Sequence, residues 1–363
     1  MGIEFSYEGL TMPHPVTNSN SKMPMLASPP IFPTHLPAGY ECFADETTYD
    51  PDQHLALEWP EQILTLAEFG YDESAIDACA SPVAVTSPFR MLSEEGVRVT
   101  HQVVSRLKAQ RSEIAGDRVP SHLAGGVYRS KFLRDLCACP EILNHLSKIG
   151  GTPLAPHLMP SQQLYVNYAP QDLSQAVDAW HFDGIGFDYV LMMSDPTQLK
   201  GGAFEYFQGT KFEIAETFNL AVHEVRYGIT SELPQDRVIR TRFPAAGYAI
   251  FQQGNMVVHR AAKLLAPGDR ITMVPGFVSR NLSCPDPTAV HDMPCYGEPG
   301  IVAELVRHSA WLAQTKLLHL LHSLPLSDDS GQLAANLKNT IADVISVIRE
   351  LEKAQASAQA DKP

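Results

Sequence analysis

The chain has 363 residues, of which 44% are hydrophobic, enough for the core of one large domain or two ordinary ones. Its formal net charge of −14 disfavours a nucleic-acid partner, because an acidic surface repels a phosphate backbone. No apolar run reaches membrane-spanning length and the first residues carry no basic segment, so we predict a cytoplasmic protein that does not bind membranes.

The six cysteines include no pair spaced as CxxC. Cys137 and Cys139 lie two residues apart in a predicted helix, where their side chains diverge. We therefore expect reduced thiols and no zinc site.

Residues 1–92 are predicted to be an irregular arm and lead-in, because proline is frequent in the first 60 residues. The first strong helix should follow Ser93, which can cap its amino end. Glu94 and Glu95 suit the positive end of the helix dipole, and Val99 and Val103 begin an apolar stripe. A second helical stretch, 130–148, is broken near Pro140.

The pattern changes to short β-type segments within the predicted core, residues 93–298. Gly, Pro and Asn separate these segments, which is typical of a sandwich or barrel. The predicted strands are 164–168, 187–193, 203–207, 238–243, 248–251, 256–258 and 271–278. One helix, near 212–227, is inserted between them.

The carboxyl-terminal part, residues 299–363, returns to helix, with Pro299 predicted as a first helical residue. The last helix carries a heptad-type stripe, which packs either on the protein's own sheet or in the seam of a homodimer. The stripe comprises Leu337, Ile341, Val344, Ile348 and Leu351. We expect disorder from Lys353 onward.

A histidine and an acid two residues apart, His181 and Asp183 in the run WHFD, can chelate one metal ion. Side chains at i and i+2 of an extended segment project to the same side. About one such pair is expected by chance in a chain of this composition, and a lone pair is more often a surface hydrogen bond.

The later residues strengthen this interpretation. His259 follows the strand-like segment 256–258, and Arg270 and Thr272 alternate on a further strand. Two histidines and one carboxylate leave one face of a metal open, as non-heme Fe(II) oxygenases require. A guanidinium and a hydroxyl can hold a carboxylate, although Arg270 could instead form a surface salt bridge with Asp269.

Over residues 162–279 the sequence resembles the Fe(II)/2-oxoglutarate-dependent oxygenase superfamily. It looks most like the phytanoyl-CoA-dioxygenase-like and small-molecule-tailoring branches. The motifs that carry the resemblance are LYVNY, WHFD, KGGAFEYF, GYAIF with the later VVH, and PGDRIT.

The resemblance implies a mainly β fold with a double-stranded β-helix (jelly-roll) core and flanking helices. It implies Fe(II) at His181, Asp183 and His259, with Arg270 and Thr272 on the far carboxylate of 2-oxoglutarate. It further implies that O2 is used to oxidise an unactivated C–H bond of a small molecule, with release of succinate and CO2. An amino-acid-derived or natural-product substrate is favoured over a protein. Halogenation is disfavoured, because halogenases of this superfamily lack the carboxylate ligand that Asp183 supplies.

Further site residues are weaker candidates. Tyr165 and Asn167 share one strand face and could contact 2-oxoglutarate or substrate, or serve only the sheet. Trp180, Phe204 and Tyr206 could line the substrate pocket, with core packing as the alternative.

Two other functions remain open. One is oxidative cyclisation or desaturation with the same cofactors, which substrate geometry would decide. The other is a non-catalytic cupin-like binding protein, which would have no reason to keep both the metal triad and the Arg-x-Thr pair.

The long stretch between Asp183 and His259 departs from the resemblance. Within its part 209–237, we predict that 212–227 closes over the substrate; the alternative is a helix packed on the outer sheet.

Overall fold

Two antiparallel sheets with flanking helices form the computed structural model, which describes residues 32–33, 35–293, 298–324, 326 and 328–360. The predicted fold class, mainly β with a jelly-roll core, is confirmed. The strands are β1 (Ile63–Thr65), β2 (Val83–Thr86), β3 (Phe89–Arg90), β4 (Ser112–Glu113), β5 (Ser121–Ala124), β6 (Leu154–Pro156), β7 (Tyr165–Tyr168), β8 (Asp178–His181), β9 (Phe187–Met192), β10 (Phe204–Phe207), β11 (Val238–Thr241), β12 (Tyr248–Gln252), β13 (His259–Ala261), β14 (Ile271–Val274) and β15 (Gly276–Ser279).

The larger sheet has 11 strands, with the order β1-β2-β12-β9-β14-β7-β5-β4 along its main path. In addition β3 pairs with β12, while β15 pairs with β6 and β9. The smaller sheet has four strands in the order β11-β10-β13-β8. The space between the two sheets holds the candidate site described below.

Nine α-helices lie around the sheets in the described part of the chain. They are α1 (Pro51–His54), α2 (Glu73–Asp77), α3 (Glu94–Leu107), α4 (Lys131–Cys137), α5 (Pro140–Gly150), α6 (Pro160–Gln163), α7 (Lys211–Thr217), α8 (Ile301–Ser323) and α9 (Ser330–Ala360). None of the described helices is long and apolar enough to cross a membrane.

Helices α3, α4 and α5 cover the outer face of the larger sheet. The Ser93 hydroxyl accepts a hydrogen bond from the Gly96 amide at 2.9 Å, so the predicted cap of α3 is confirmed. Their apolar residues pack with Val166 and Met273, which point outward from β7 and β14. Strand alternation therefore turns the neighbouring residues of these two strands toward the smaller sheet.

Three strand or lead-in predictions need correction. Residues 63–90 of the presumed irregular lead-in supply β1, β2 and β3 to the larger sheet. Residues 256–258 form no strand, and β13 begins at His259. The predicted strand 271–278 is divided at Pro275, which has no amide hydrogen for a sheet hydrogen bond.

The carboxyl-terminal helices α8 and α9 pack against each other. Helix α8 begins at Ile301, with Gly300 and not Pro299 at its start. Helix α9 continues to Ala360, so the expected disorder from Lys353 is corrected for the described residues, while residues 361–363 lie outside them. Three residues of the predicted stripe, Leu337, Ile341 and Ile348, are exposed by 54%, 38% and 46%.

Candidate metal centre and its cavity

The side chains of His181, Asp183 and His259 converge at one edge of the smaller sheet. His181 ends β8 and is the cross-strand partner of His259, which begins β13. The Asp183 carboxylate lies 3.2 Å from Nε2 of His181 and 3.6 Å from Nε2 of His259. All three ligand atoms lie within 4.8 Å of one another, so a single ion can be held by them.

Both imidazoles are oriented by the backbone two residues before them. Nδ1 of His181 lies 2.7 Å from the carbonyl oxygen of Ala179, and Nδ1 of His259 lies 3.0 Å from that of Val257. A ring that donates from Nδ1 keeps the lone pair on Nε2. The cluster therefore presents two Nε2 atoms for coordination.

The electrostatics of the cluster suit a metal ion. Burial and the neighbouring His181 lower the pKa of His259 to about 4, so this imidazole is neutral at pH 7. Burial raises the pKa of Asp183, but the two imidazoles outweigh it and hold that pKa below its usual range. The site thus offers a neutral imidazole at His259 and an ionised carboxylate at Asp183, the protonation states in which these groups bind a metal ion.

A close backbone approach holds Asp183 in place. Its amide donates to the carbonyl oxygen of Gly254 at 2.8 Å. A Cβ atom on Gly254 would lie 2.2 Å from Oδ2 of Asp183 and 2.3 Å from Oδ2 of Asp188. Position 254 therefore has no room for a side chain.

Two buried polar residues that the sequence did not predict, Asp188 and Gln252, lie next to the Asp183 carboxylate. Asp188 is buried, and its Oδ1 accepts from Nε2 of Gln252 at 3.0 Å. The same Gln252 nitrogen lies 3.4 Å from Asp183. Burial and the charge of Asp183 raise the pKa of Asp188 well above its usual value. A lone acid within the apolar run FDYVLMM was the signal that could have identified Asp188.

Arg270 is fully buried and forms no ion pair with any described carboxylate. Its Nε donates to the Gly202 carbonyl at 2.8 Å and its Nη1 to the Thr272 hydroxyl at 3.2 Å, while Nη2 has no partner. Asp269, the alternative partner, pairs with Lys108 instead. Burial lowers the pKa of Arg270 to about 10, which leaves it charged at neutral pH. A buried cation with an unused donor calls for an anion.

The double glycine of KGGAFEYF shapes this arginine site. Gly201 and Gly202 have φ angles of +82° and +70°, which disfavour other residues. A Cβ atom on Gly202 would lie 2.8 Å from Cδ of Arg270. The two glycines thus let the backbone approach and orient the guanidinium.

A cavity of about 410 Å³ connects the triad with Arg270. Its larger-sheet wall contains a cross-strand row of His122, Asn167 and Thr272. Tyr165 and Val274 form the next row, and the triad with Phe204 lies on the smaller-sheet side. Tyr165, Asn167, Arg270, Thr272 and Phe204 therefore share one cavity with the three metal-ligand candidates.

Two predicted pocket residues do not line this cavity. Trp180 is buried on the opposite face of the smaller sheet, with the guanidinium of Arg260 4.5 Å from its ring. It precedes His181, and neighbouring strand residues face opposite sides. Tyr206 packs in another core cluster, where its ring lies 5.7 Å from that of Phe69. Trp180 and Tyr206 therefore pack in the core, as the alternative interpretation predicted, and do not line the pocket.

An ion pair missed by the sequence analysis borders the triad. Nη1 of Arg118 lies 2.7 Å from Oδ1 of Asp178, and that oxygen lies 3.3 Å from Nδ1 of His181. Nδ2 of Asn167 also donates to Asp178 at 3.4 Å. A register irregularity between β8 and β13 brings Asp178 near His181, although simple alternation would separate residues three apart.

The predicted lid does not cover the cavity. No residue of 209–237 lines it, and this segment packs on the outer face of the smaller sheet. Ile214 and Val225 contribute to that cluster, which contains Trp180. In this structure the segment has the outward packing of the alternative, and its closure over a bound substrate stays a prediction. The cavity lining instead includes residues from 112–119 and Glu298.

Comparisons with known proteins add structural likenesses alone. No family model matches the chain, and no curated protein matches it significantly.

Among solved structures, the non-heme alpha-ketoglutarate-dependent epimerase SnoN from nogalamycin biosynthesis is 16% identical. The match covers 57% of this chain and 84% of SnoN, with a TM-score of 0.39. The alpha-ketoglutarate-dependent carbocyclase SnoK of the same biosynthesis is 14% identical, with coverages of 66% and 95% and a TM-score of 0.39. EvdO2 from Micromonospora carbonacea var. aurantiaca, complexed with 2-oxoglutarate, is 14% identical, with coverages of 62% and 93% and a TM-score of 0.37. The chain is thus similar in structure to these proteins at low identity.

Proposed function

We propose that this chain is an Fe(II)- and 2-oxoglutarate-dependent oxygenase. It would use O2 to oxidise a C–H bond of an amino-acid-derived or natural-product small molecule, releasing succinate and CO2. One observation carries the proposal: a buried arginine without a carboxylate partner opens into the same cavity as a His–Asp–His cluster.

The donor set fits iron. Two imidazole nitrogens and one carboxylate form the set that leaves one face of an Fe(II) ion open for other ligands. Because Asp183 supplies the third ligand, the site has no vacancy of the kind that a halide ligand needs. This argues against halogenation.

The larger-sheet wall fits a dicarboxylate. Nη2 of Arg270 is an unused donor, and the Thr272 hydroxyl lies beside the guanidinium. Together they suit one carboxylate of 2-oxoglutarate, while its other end would reach toward the triad side of the cavity. When bound, the iron and 2-oxoglutarate supply the oxidising chemistry with O2.

The chain's own residues position and shield that chemistry. The carbonyl oxygens of Ala179 and Val257 hold the two imidazoles, and Gly254 holds Asp183. Val190, Phe204 and Val274 make the cavity wall apolar near these polar groups, which limits access of bulk water.

The size of the cavity constrains where the substrate reacts. A volume of 410 Å³ corresponds to about 14 waters at ~30 Å³ each. 2-Oxoglutarate, with roughly ten non-hydrogen atoms, would take most of it. The substrate would therefore extend into the mouth, beside 112–119 and the stacked rings of His122 and Tyr165, whose centroids are 5.0 Å apart.

Succinate release and mass spectrometry test the proposal. The protein would be incubated with Fe(II), 2-oxoglutarate, O2 and a panel of amino acids, acyl-CoA esters, terpenoids and peptide metabolites. Thermal shift identifies binders in the same panel. A product heavier by one oxygen indicates hydroxylation, and a product lighter by two hydrogens indicates cyclisation or desaturation. A chain that neither binds 2-oxoglutarate nor releases succinate would support the cupin-like binding protein.

A further inference from the structure

A second cavity, of about 250 Å³, shares no lining residue with the one at the triad. It lies among α2, the turn 253–256, the loop 279–287 and α8. Its walls are mainly apolar, with contributions from Ala75, Phe187, Phe212, Met256, Leu282 and Leu312. Nothing in the proposed oxygenase reaction uses this space.

Lys211 places an ammonium at this cavity without forming a salt bridge to any described carboxylate. Nζ donates to the Asn255 carbonyl at 2.9 Å and lies 3.3 Å from the Met256 sulfur. The rings of Phe182 and Phe212 have their centroids 4.9 Å and 5.6 Å from it. Burial lowers the pKa of Lys211 to about 8, which still leaves the charged form in excess at pH 7.

A second polar group in the cavity lacks a hydrogen-bond partner. Gln253 is 2% exposed, and neither Nε2 nor Oε1 of its amide has a hydrogen-bond partner of standard geometry, although the Cys79 thiol interacts with this side chain. Buried amides in folded proteins are almost always paired, so this amide has hydrogen-bonding capacity that a ligand in the cavity could use. Lys211 thus provides a cation that has no carboxylate counter-ion in the described chain, and Gln253 provides an amide with unused hydrogen-bonding capacity.

The other charged groups lining the cavity are already paired. Asp286 pairs with His308 and accepts from the Thr288 hydroxyl at 2.9 Å. Lys316 pairs with Asp343. Lys211 is therefore the charge along this lining that remains for a ligand.

We propose that this cavity binds a small monocarboxylate with a short apolar tail. The ammonium of Lys211 and the amide of Gln253 hold the carboxylate, and the tail packs on the apolar walls. One unpaired cation matches one negative charge, whereas a phosphate dianion would leave charge uncompensated. The volume of 250 Å³ would hold about eight waters at ~30 Å³ each. Hexanoate, with roughly eight non-hydrogen atoms, fits a space of this size.

Isothermal titration calorimetry of the full chain with hexanoate tests the proposal. Hexanamide, which has the same shape without the charge, should bind about tenfold more weakly or worse. An excess of 2-oxoglutarate should leave hexanoate binding unchanged, because the two ligands occupy different cavities. This inference therefore stands or falls separately from the proposed oxygenase function.

Two variants and a matched control locate the site. Lys211→Met should weaken hexanoate binding about tenfold or more, whereas Lys316→Met, which removes a paired lysine from the same lining, should not. If Lys211→Met fails to fold, Ala78→Phe fills the cavity from an exposed position of its rim and should abolish binding.

Four results would overturn the proposal. They are the absence of hexanoate binding to the full chain, equal binding of hexanamide, displacement by 2-oxoglutarate, and unchanged binding in the folded Lys211→Met or Ala78→Phe variant.

Discussion

Each of the two cavities contains a cation that lacks a carboxylate partner, but the two cations are held differently. Arg270 is fully buried, and a carbonyl and a hydroxyl fix its planar guanidinium. Lys211 has a flexible side chain, and its ammonium contacts a carbonyl, a sulfur atom and two aromatic rings. The first arrangement selects the orientation of an anion, while the second selects mainly its charge.

The residues around the two cations also differ in polarity. Beside Arg270 lie the His–Asp–His cluster and rows of polar strand residues, whereas the walls around Lys211 are mainly apolar. The first cavity can therefore align two ligands for chemistry. The second has the features of a binding site without catalytic groups. The following changes test that contrast.

Loss of a metal ligand should have the largest effect. Asp183→Ala removes the carboxylate from the cluster and should lower succinate release by more than about 100-fold. Bound iron, measured by elemental analysis, should fall with it. Asp135→Asn, at a surface pair with Lys131, is the control. Normal iron content in Asp183→Ala would contradict the assignment of the metal site.

Gly254→Ala tests whether the backbone approach to Asp183 matters. The added Cβ would lie 2.2 Å from Oδ2 of Asp183, so the carboxylate must move. We expect metal affinity to fall by about 10- to 100-fold, as for other residues that orient a ligand. Titration with Co(II), followed by its visible absorption, measures this. Gly331→Ala, in the exposed first turn of α9, should leave the affinity unchanged.

Arg270→Lys should separate charge from orientation in the first cavity. Lysine keeps the positive charge but loses the planar fork, so the apparent Kd for 2-oxoglutarate should rise about tenfold or more. Asp269→Asn changes the neighbouring surface charge and serves as the control. Equal 2-oxoglutarate affinity in wild type and Arg270→Lys would contradict the role of Arg270.

A pH-sensitive cluster stands beside the second cavity. Burial, aided by the neighbouring His308, lowers the pKa of His157 to about 3, and the two rings stack with centroids 4.7 Å apart. In the unfolded chain His157 binds a proton near pH 6.5, whereas in the folded protein it stays neutral until about pH 3. Above pH 6.5 His157 is neutral in both states, so its burial costs no stability there. As the pH falls from 6.5 toward 3, the free energy of unfolding decreases by up to about 1.4 kcal/mol per pH unit.

Urea unfolding at pH 7.5 and pH 5 measures this loss. In His157→Gln the same decrease in pH should cost less free energy of unfolding than in the wild type. An identical pH dependence in the two proteins would show that His157 is not the responsible group.

The carboxyl-terminal helices α8 and α9 should affect the oligomeric state and not the rate of succinate release. Since Leu337, Ile341 and Ile348 are exposed, the homodimer proposed from their spacing remains a prediction. Light scattering should then give the mass of a dimer for the wild type and of a monomer for Ile341→Glu. A monomeric wild type would contradict the predicted homodimer. We expect succinate release by Ile341→Glu to differ little from that of the wild type.

Local patterns predicted much of the fold and the centre of the site. Ser93 was identified as a cap because capping depends on residues three apart, and the His–x–Asp and Arg–x–Thr pairs because strand alternation is a local property. The same alternation could have excluded Trp180, which adjoins His181 and must face away from it. These features depend on the nearest neighbours in the chain, so the sequence by itself determined them.

Other features depend on which segments meet. The irregular pairing of β8 and β13 brings Asp178 to His181, and Asp188 and Gln252 lie together because β9 pairs with β12. The outward packing of 209–237 follows from an apolar face that fits the smaller sheet. The second cavity unites Cys79, Lys211 and Leu312, which are far apart in the chain. Only the tertiary structure decided these, because strand register and side-chain packing are set by contacts between distant segments.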